Sequence, residues 1–324
     1  MRTRLTELLD VEHPVMLAGM GGVSYHRLVA AVSEAGGFGC LGASTMRKDE
    51  MIDEIRATKA LTDKPFGVDL LTAMPGDMVA QVERIIAEGA RVFVAGLGVP
   101  RDVVELCHKS GVLVVNMCGK VRHAVTAVEA GCDIVVAQGT EAGGHTGQVA
   151  TMPLVPQIVD AVGDRVPVVA AGGIFDGRGL AAALALGADG VWVGTRFIAT
   201  PEARAVVGYK DTLLGLTDDG TTVSRAYTGK TCRVVRNTYT EYFEDHRDEL
   251  QPFPHQVGRA MSDGTFHLGG DEATPDIDPA KEFFPAGQGA GAIEALVPAG
   301  DLVRQFVAQA EDALGRLNAG QGVS

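Results

Sequence analysis

The sequence predicts an α/β protein, a (β/α)8 TIM barrel with an inserted, mostly helical lid, and three observations carry that prediction. Eight short apolar runs recur between residues 14 and 194. Most are continuous rather than alternating in hydrophobicity, as strands buried on both faces of a parallel sheet should be. Helix-like segments separate them, and four joints, "EAGGFGCLG", "AEGARVFVAG", "EAGCDIVVAQG" and "ALGADGVWVG", share one small-Gly-x-x-apolar pattern. Repeated βα units in this number favour a closed barrel over a doubly wound sheet.

In order, the strand candidates are "PVMLA" (14–18), "FGCLG" (38–42), "FGVDL" (66–70), "RVFVAG" (91–96), "VLVVN" (112–116), "DIVVAQG" (133–139), "PVVAAGG" (167–173) and "GVWVG" (190–194). Between them "YHRLVAAVSEAG", "PRDVVELCHKSG" and "GRGLAAALALG" space apolar residues at helical intervals and close on a glycine of C-cap type. Pro100 suits a first helical turn. After about residue 207 the rhythm stops. Four of the five tyrosines follow (Tyr209, Tyr227, Tyr239, Tyr242), then the acidic, Pro-rich "GGDEATPDIDPAKEFFP". The chain is therefore divided into a barrel over residues 1–207, an inserted lid or cap over 208–285, and a return to the barrel over 286–324, with "DLVRQFVAQAEDALGRL" (301–317) as a final helix. A segment of this size and charge makes a poor independent core, which argues against a second domain.

Composition narrows the function. Lys and Arg number 28 against 41 Asp and Glu, a net charge of −13, so the overall field repels nucleic acid and an anionic ligand must be bound locally. No apolar run is long enough to span a bilayer and the N-terminal stretch lacks the apolar core of a signal peptide, so a cytoplasmic protein without membrane attachment is expected. The five cysteines are scattered and lack any CxxC, which predicts small buried side chains rather than disulfides or a metal site.

Chemistry in a barrel gathers at the strand C-termini, and a phosphate commonly sits on the loops after the last two strands. Those loops read "AAGGIFDGRG" (170–179) and "VGTRF" (193–197). Gly172, Gly173, Gly194 and Thr195 can present N–H groups to phosphate oxygens, and a helix opening near Gly177 adds a favourable dipole end. Tight packing is the alternative reading of these glycines. In "LAGMGGVS" (17–24), Gly19 and Met20 can lie against a ring through main chain and thioether; a simple turn capped by Ser24 is the alternative. In "AQGTEAGGHTG" (137–147), Gln138 can hydrogen-bond a heterocycle, Gly143 and Gly144 let the loop approach, and His145 has the chemistry of a general acid or base. Gln288 and Gly289 in "PAGQGAGAI" (285–293) either close the site or link to a helix. The GxGxxG spacing of a dinucleotide fold is missing after the early strands.

Together these motifs resemble the nitronate monooxygenase family, whose relatives include FMN-dependent enoyl-ACP reductases of the second type and some NADH:quinone reductases. The matching stretches are "MLAGMGGVS", "PFGVDL", "AQGTEAGGHTG", "AAGGIFDGRGLAAALALGADGVWVGTRF" and "PAGQGAGAI". The resemblance implies noncovalent FMN, with its phosphate at Gly172, Gly173, Gly194 and Thr195, ring contacts from Gly19, Met20 and Gln138, and His145 beside the flavin as the catalytic residue. Two departures matter. Relatives usually carry "APM" where this chain has "AGM" (18–20), and Asn where it has Asp69, which becomes a cofactor neighbour bearing a carboxyl group.

The resemblance implies oxidation of alkyl nitronates with O2, His145 orienting the nitronate or deprotonating a nitroalkane. The alternative is an NAD(P)H-dependent flavin reductase acting on an enoyl thioester, of ACP or CoA, or on a quinone. A nonenzymatic FMN sensor is a third reading, in which a histidine at the ring has little use. Arg196, Arg225, Lys230, Arg233 and Arg236 are either an anion-friendly rim for a thioester or a solvated charged face. A homo-oligomer is compatible with the sequence.

Overall fold

The computed structural model describes residues 1–72, 77–96, 98 and 100–319. Among the described residues eleven strands appear in chain order: β1 (Val15–Leu17), β2 (Gly39–Gly42), β3 (Phe66–Leu71), β4 (Val92–Gly96), β5 (Leu113–Cys118), β6 (Ile134–Gln138), β7 (Gly144–His145), β8 (Val168–Ala171), β9 (Gly190–Val193), β10 (Thr221–Ser224) and β11 (Cys232–Val235). Eight of them form one parallel sheet in the order β1-β9-β8-β6-β5-β4-β3-β2, and these are the eight apolar runs read from the sequence. The ends meet where Leu17 N–H donates to Phe38 O and Phe38 N–H to Val15 O, so the sheet forms a nearly closed TIM-like barrel.

The strand residues are buried on both sides because alternate side chains serve different layers. Met16, Cys40, Val94, Val136, Val169 and Trp192 fill the barrel interior. Leu17, Leu41, Phe93, Val135, Val168 and Val191 face outward into the helix layer. That layer is built from α2 (His26–Glu34), α3 (Lys48–Leu61), α4 (Met78–Ala87), α5 (Arg101–Lys109), α6 (Val121–Glu129), α7 (Thr151–Val162) and α8 (Gly177–Ala185), preceded by α1 (Arg4–Leu9). Gly36 (φ +82°) and Gly187 (φ +91°) end α2 and α8 in the left-handed conformation that the C-cap reading requires. Pro100 stands at the N-cap of α5, one place before its first turn.

Helix α1 plugs the N-terminal end. Its Leu5 and Leu9 join the interior cluster, each burial worth roughly 1.5–3 kcal/mol. Arg4 also grips both carboxylate oxygens of Asp189, at 3.1 and 2.9 Å. With its side chain half exposed this pair contributes no more than about 1 kcal/mol, so apolar burial holds the plug. Among the described residues, the C-terminal end of the barrel is the one that α1 leaves open.

After the short α9 (Thr195–Ile198), the segment up to residue 285 carries helices α10 (Tyr209–Leu214), α11 (Thr238–Asp245) and α12 (His255–Ser262). It also contains a feature absent from the sequence reading, the antiparallel hairpin β10–β11, whose second strand pairs with β7 of the barrel loop. Tyr227, Cys232, Val234, Phe243 and Phe283 give it a small core of its own. Helix α13 (Ala299–Ala319) returns against α8, so closely that a Cβ on Gly177 would lie 2.2 Å from Phe306 O.

Candidate active site

A cavity of about 490 Å³ lies at the C-terminal ends of the barrel strands. Asp69 and Leu71 of β3, Gly96 of β4, Met117 of β5, Gln138 of β6, Ala171 of β8 and Gly194 after β9 line it from below. From residues 208–285 Thr228, Phe253, Pro254, Val257, Phe266, Leu268 and Phe283 line it as well. Of the residues singled out from sequence, Gly19, Met20, Asp69, Gln138, Gly143, Gly144, His145, Gly172, Gly173, Gly194, Thr195 and Gly289 all border this one space. Gln288 does not: its side chain is exposed, and its main-chain N–H donates to Glu141 O at 2.9 Å.

Gly172 (φ +104°) and Gly173 (φ +72°) turn the chain after β8 through backbone that side chains resist. A Cβ on Gly172 would stand 2.8 Å from Thr151 Oγ1. The N–H groups of Gly172, Gly173, Gly194 and Thr195 have no acceptor among the described residues, which leaves them free for an anion. Helix α8 does not join them, contrary to the expectation at Gly177. Asp176 caps Arg178 and Gly179 N–H at 3.0 and 3.3 Å, and Gln309 Oε1 takes Gly177 N–H at 3.0 Å, so the positive end of that helix is already satisfied. The loop 285–289 is tied in instead, Gly287 N–H donating to Thr195 Oγ1 at 2.9 Å.

At the end of β1 the main chain of Met20 is spent internally: its N–H donates to Ser24 Oγ, and its oxygen accepts from Val23 and Ser24. The turn capped by Ser24 is therefore present, and the thioether is what Met20 offers, packed over Gly194. Gly19 presses on Asp69, where an added Cβ would come within 2.3 Å of Asp69 Cβ. Asp69 is only 8% exposed, and its carboxyl accepts no hydrogen bond among the described residues. Burial alone pushes its pKa up to about 8, so the group is largely protonated at neutral pH.

His145 is fixed from two sides. Gln138 Nε2–H donates to His145 O at 2.7 Å, and the strand pairs with β11 in the register Cys232–His145. Its ring meets Phe253 edge-on at 6.5 Å, and Nε2 lies 3.2 Å from Thr228 Oγ1. Thr228 gives its one hydroxyl proton to Lys230 O at 3.1 Å, so it accepts from Nε2–H and leaves Nδ1 as the acceptor nitrogen. Burial first, and the Lys230 charge second, push the imidazole down to about 4. The general acid or base near physiological pH expected from sequence is thus a neutral, weakly basic imidazole.

The five cations do not form one rim. Arg233 is buried, donating to Thr140 O and Thr221 Oγ1, and Arg196 gives its guanidinium to Ala199 O and Ala295 O. Arg236 is exposed, whereas Arg225 and Lys230 border a neighbouring cleft. All five cysteines are free and buried. Among the described residues no group of His, Cys, Asp or Glu is placed to hold a metal ion, and no helix is long and apolar enough to cross a membrane.

The fold is a TIM-like barrel with a cavity at its strand C-termini, and the protein is an oxidoreductase. The chain belongs to the nitronate monooxygenase family, whose model matches residues 2–78 and 72–309, and the family is flavin-dependent. It is 44% identical over 75% of its length, and 69% of the relative's, to the (3aS,4S,5R,7aS)-5-hydroxy-7a-methyl-1-oxo-octahydro-1H-indene-4-carboxyl-CoA dehydrogenase of Mycobacterium tuberculosis. FabK from Thermotoga maritima superposes with a TM-score of 0.89 at 33% identity, covering 98% of this chain and 99% of that one. The nitroalkane oxidase of Streptomyces ansochromogenes gives 0.83 at 30% identity, over 97% and 99%.

Proposed function

We propose that the protein is an FMN-dependent oxidoreductase whose substrate is an acyl thioester rather than a small alkyl nitronate. One observation carries the choice of substrate: among the described residues the cavity offers no free cation to a nitronate. Of the Asp, Glu, Lys and Arg side chains that line it, Asp69 is largely protonated at neutral pH and the Arg196 guanidinium is already engaged by two carbonyls. His145 is neutral, and the wall contributed by Phe253, Val257, Phe266 and Leu268 is apolar. A neutral, largely hydrocarbon reacting end suits this space, because an unpaired anion there would be desolvated without compensation. The 44% relative, a dehydrogenase of a carboxyl-CoA, supports the same class.

In this reading the N–H groups of Gly172, Gly173, Gly194 and Thr195 hold the phosphate of FMN, and Gly19, Met20, Asp69 and Gln138 border its ring. Bound there, FMN supplies the two-electron exchange that no side chain can. Asp69 holds a proton at its carboxyl, His145 accepts a hydrogen bond at Nδ1 and orients the substrate, and the apolar wall excludes water. Residues 208–285 act as the cap that supplies this wall. The nitronate reading, which the likeness to a nitroalkane oxidase favours, is separated by anaerobic stopped-flow of the flavin-loaded protein. NADH or NADPH is expected to bleach the flavin and an enoyl-CoA to restore its colour. Bleaching by an alkyl nitronate, with no response to any thioester, would overturn the proposal.

A further inference from the structure

A second cleft of about 770 Å³ adjoins the first cavity, and Met117, Gln138 and His145 border both. Its charged lining residues are all basic. Lys120 comes from the start of α6, Arg225 and Lys230 from the turn that leads into β11, and among the described residues no Asp or Glu lines it; His123, also there, is held below its usual pKa by burial and by the Arg122 and Lys120 charges. In a chain of net charge −13 this is a local reversal of sign. Among the described residues none of Lys120, Arg225 and Lys230 is paired with a carboxylate. Arg225 spends only its Nε–H, on Gly229 O at 2.8 Å. The Lys230 ammonium lies 4.3 Å from the centre of the Phe253 ring, whose other neighbours include His145 in the first cavity. Lys120, at the N-cap of α6, makes no side-chain cap, so the first N–H groups of that helix add to the positive field.

We propose that this cleft binds the diphosphate of a nucleotide-bearing reactant, the CoA end of the thioester, while its acyl end reaches past His145 into the first cavity. The inference rests on the thioester reading. The two spaces share the wall formed by Met117, Gln138 and His145 and differ in charge: the second carries the unpaired Lys120, Arg225 and Lys230, whereas in the first the Arg196 guanidinium is engaged by two carbonyls. A CoA thioester has the same division between its acyl group and its phosphates. NAD(P)H presents the same diphosphate chemistry, so the test must tell the two sources apart.

The flavin-loaded protein and its Lys120→Glu and Arg225→Gln variants are titrated with CoA and with NADH by calorimetry, and turnover with a small neutral quinone is followed in parallel. Each variant is expected to weaken CoA at least tenfold, within the roughly 10- to 100-fold range of a lost charge-assisted contact, and to leave NADH affinity and quinone turnover unchanged. Loss of NADH affinity with CoA unaffected would assign the cleft to the nicotinamide nucleotide and overturn its assignment to CoA. Equal CoA and NADH affinity in all three proteins would overturn the cleft as a diphosphate site. Weakened CoA binding in the variants, together with a wild-type protein that turns over no thioester, would leave the cleft standing and refute the thioester reading instead.

Discussion

Gln138 and His145 are joined by a 2.7 Å hydrogen bond in which the glutamine amide donates to the histidine's main-chain oxygen. The bond closes the loop between β6 and β7 over seven residues and fixes where the imidazole stands. Gln138→Leu keeps the volume and removes the donor. A loss of about 0.5–1.5 kcal/mol in stability is expected, with a roughly tenfold fall in kcat from mispositioning. Unchanged kcat in a variant of lowered melting temperature would reduce the bond to an ordinary turn contact.

The imidazole itself should titrate far from its usual value. The ordinary 6.5 falls to about 4, because burial and Lys230 both oppose the charged form. Between these values the unfolded chain binds the proton and the folded one does not, so this residue's contribution to stability rises with pH across that window and is flat above it. Proton NMR of the His145 ring should show no transition between pH 5 and 8, and Lys230→Gln should move the transition upward. A ring titrating near 6.5 in the wild type would refute the assignment. His145→Ala is expected to stay folded, keep its flavin and lose about 10²-fold or more in turnover.

Asp69 should act in the opposite sense. Its pKa rises from 3.8 to about 8, so the folded state holds a proton that the unfolded state has released, and stability falls as pH climbs through that interval. The local slope approaches about 1.4 kcal/mol per pH unit. Asp69→Asn removes it. Urea unfolding at pH 5 and pH 8 should show the variant gaining on the wild type at the higher pH, and parallel behaviour at both would sink the claim.

Gly173→Val tests the proposed phosphate loop. At φ +72° a β-branched residue is strained, costing roughly 1–2 kcal/mol or more, and its Cβ would sit 3.2 Å from Glu141 Cβ. The expected product is folded and colourless. Full flavin content in purified variant would move the anion site elsewhere.

Much of the barrel was legible because its strands are buried on both faces, and burial on both faces writes itself as continuous apolar runs such as "DIVVA" before Gln138. The glycine loops were legible for a related reason, since close approach of backbone leaves few other residues possible. What the sequence hid was pairing at long range. Thr228 meets His145 across 83 positions, and nothing local in "AYTGKT" marks the hydroxyl as a partner. β7 is two residues long, too short for any periodicity, and exists only because β11 lies beside it. The Gly177 expectation failed because Gln309, more than a hundred residues away, supplies the acceptor.

That two-residue strand makes His145 common property. The barrel grips it through Gln138, the insert through the Cys232 ladder and the Thr228 hydroxyl. A lineage that remodels its roof to admit a new substrate therefore also displaces the imidazole below. On the proposed function selectivity and chemical competence are inherited as a unit, and grafting residues 208–285 of one relative onto the barrel of another is expected to transfer both or neither.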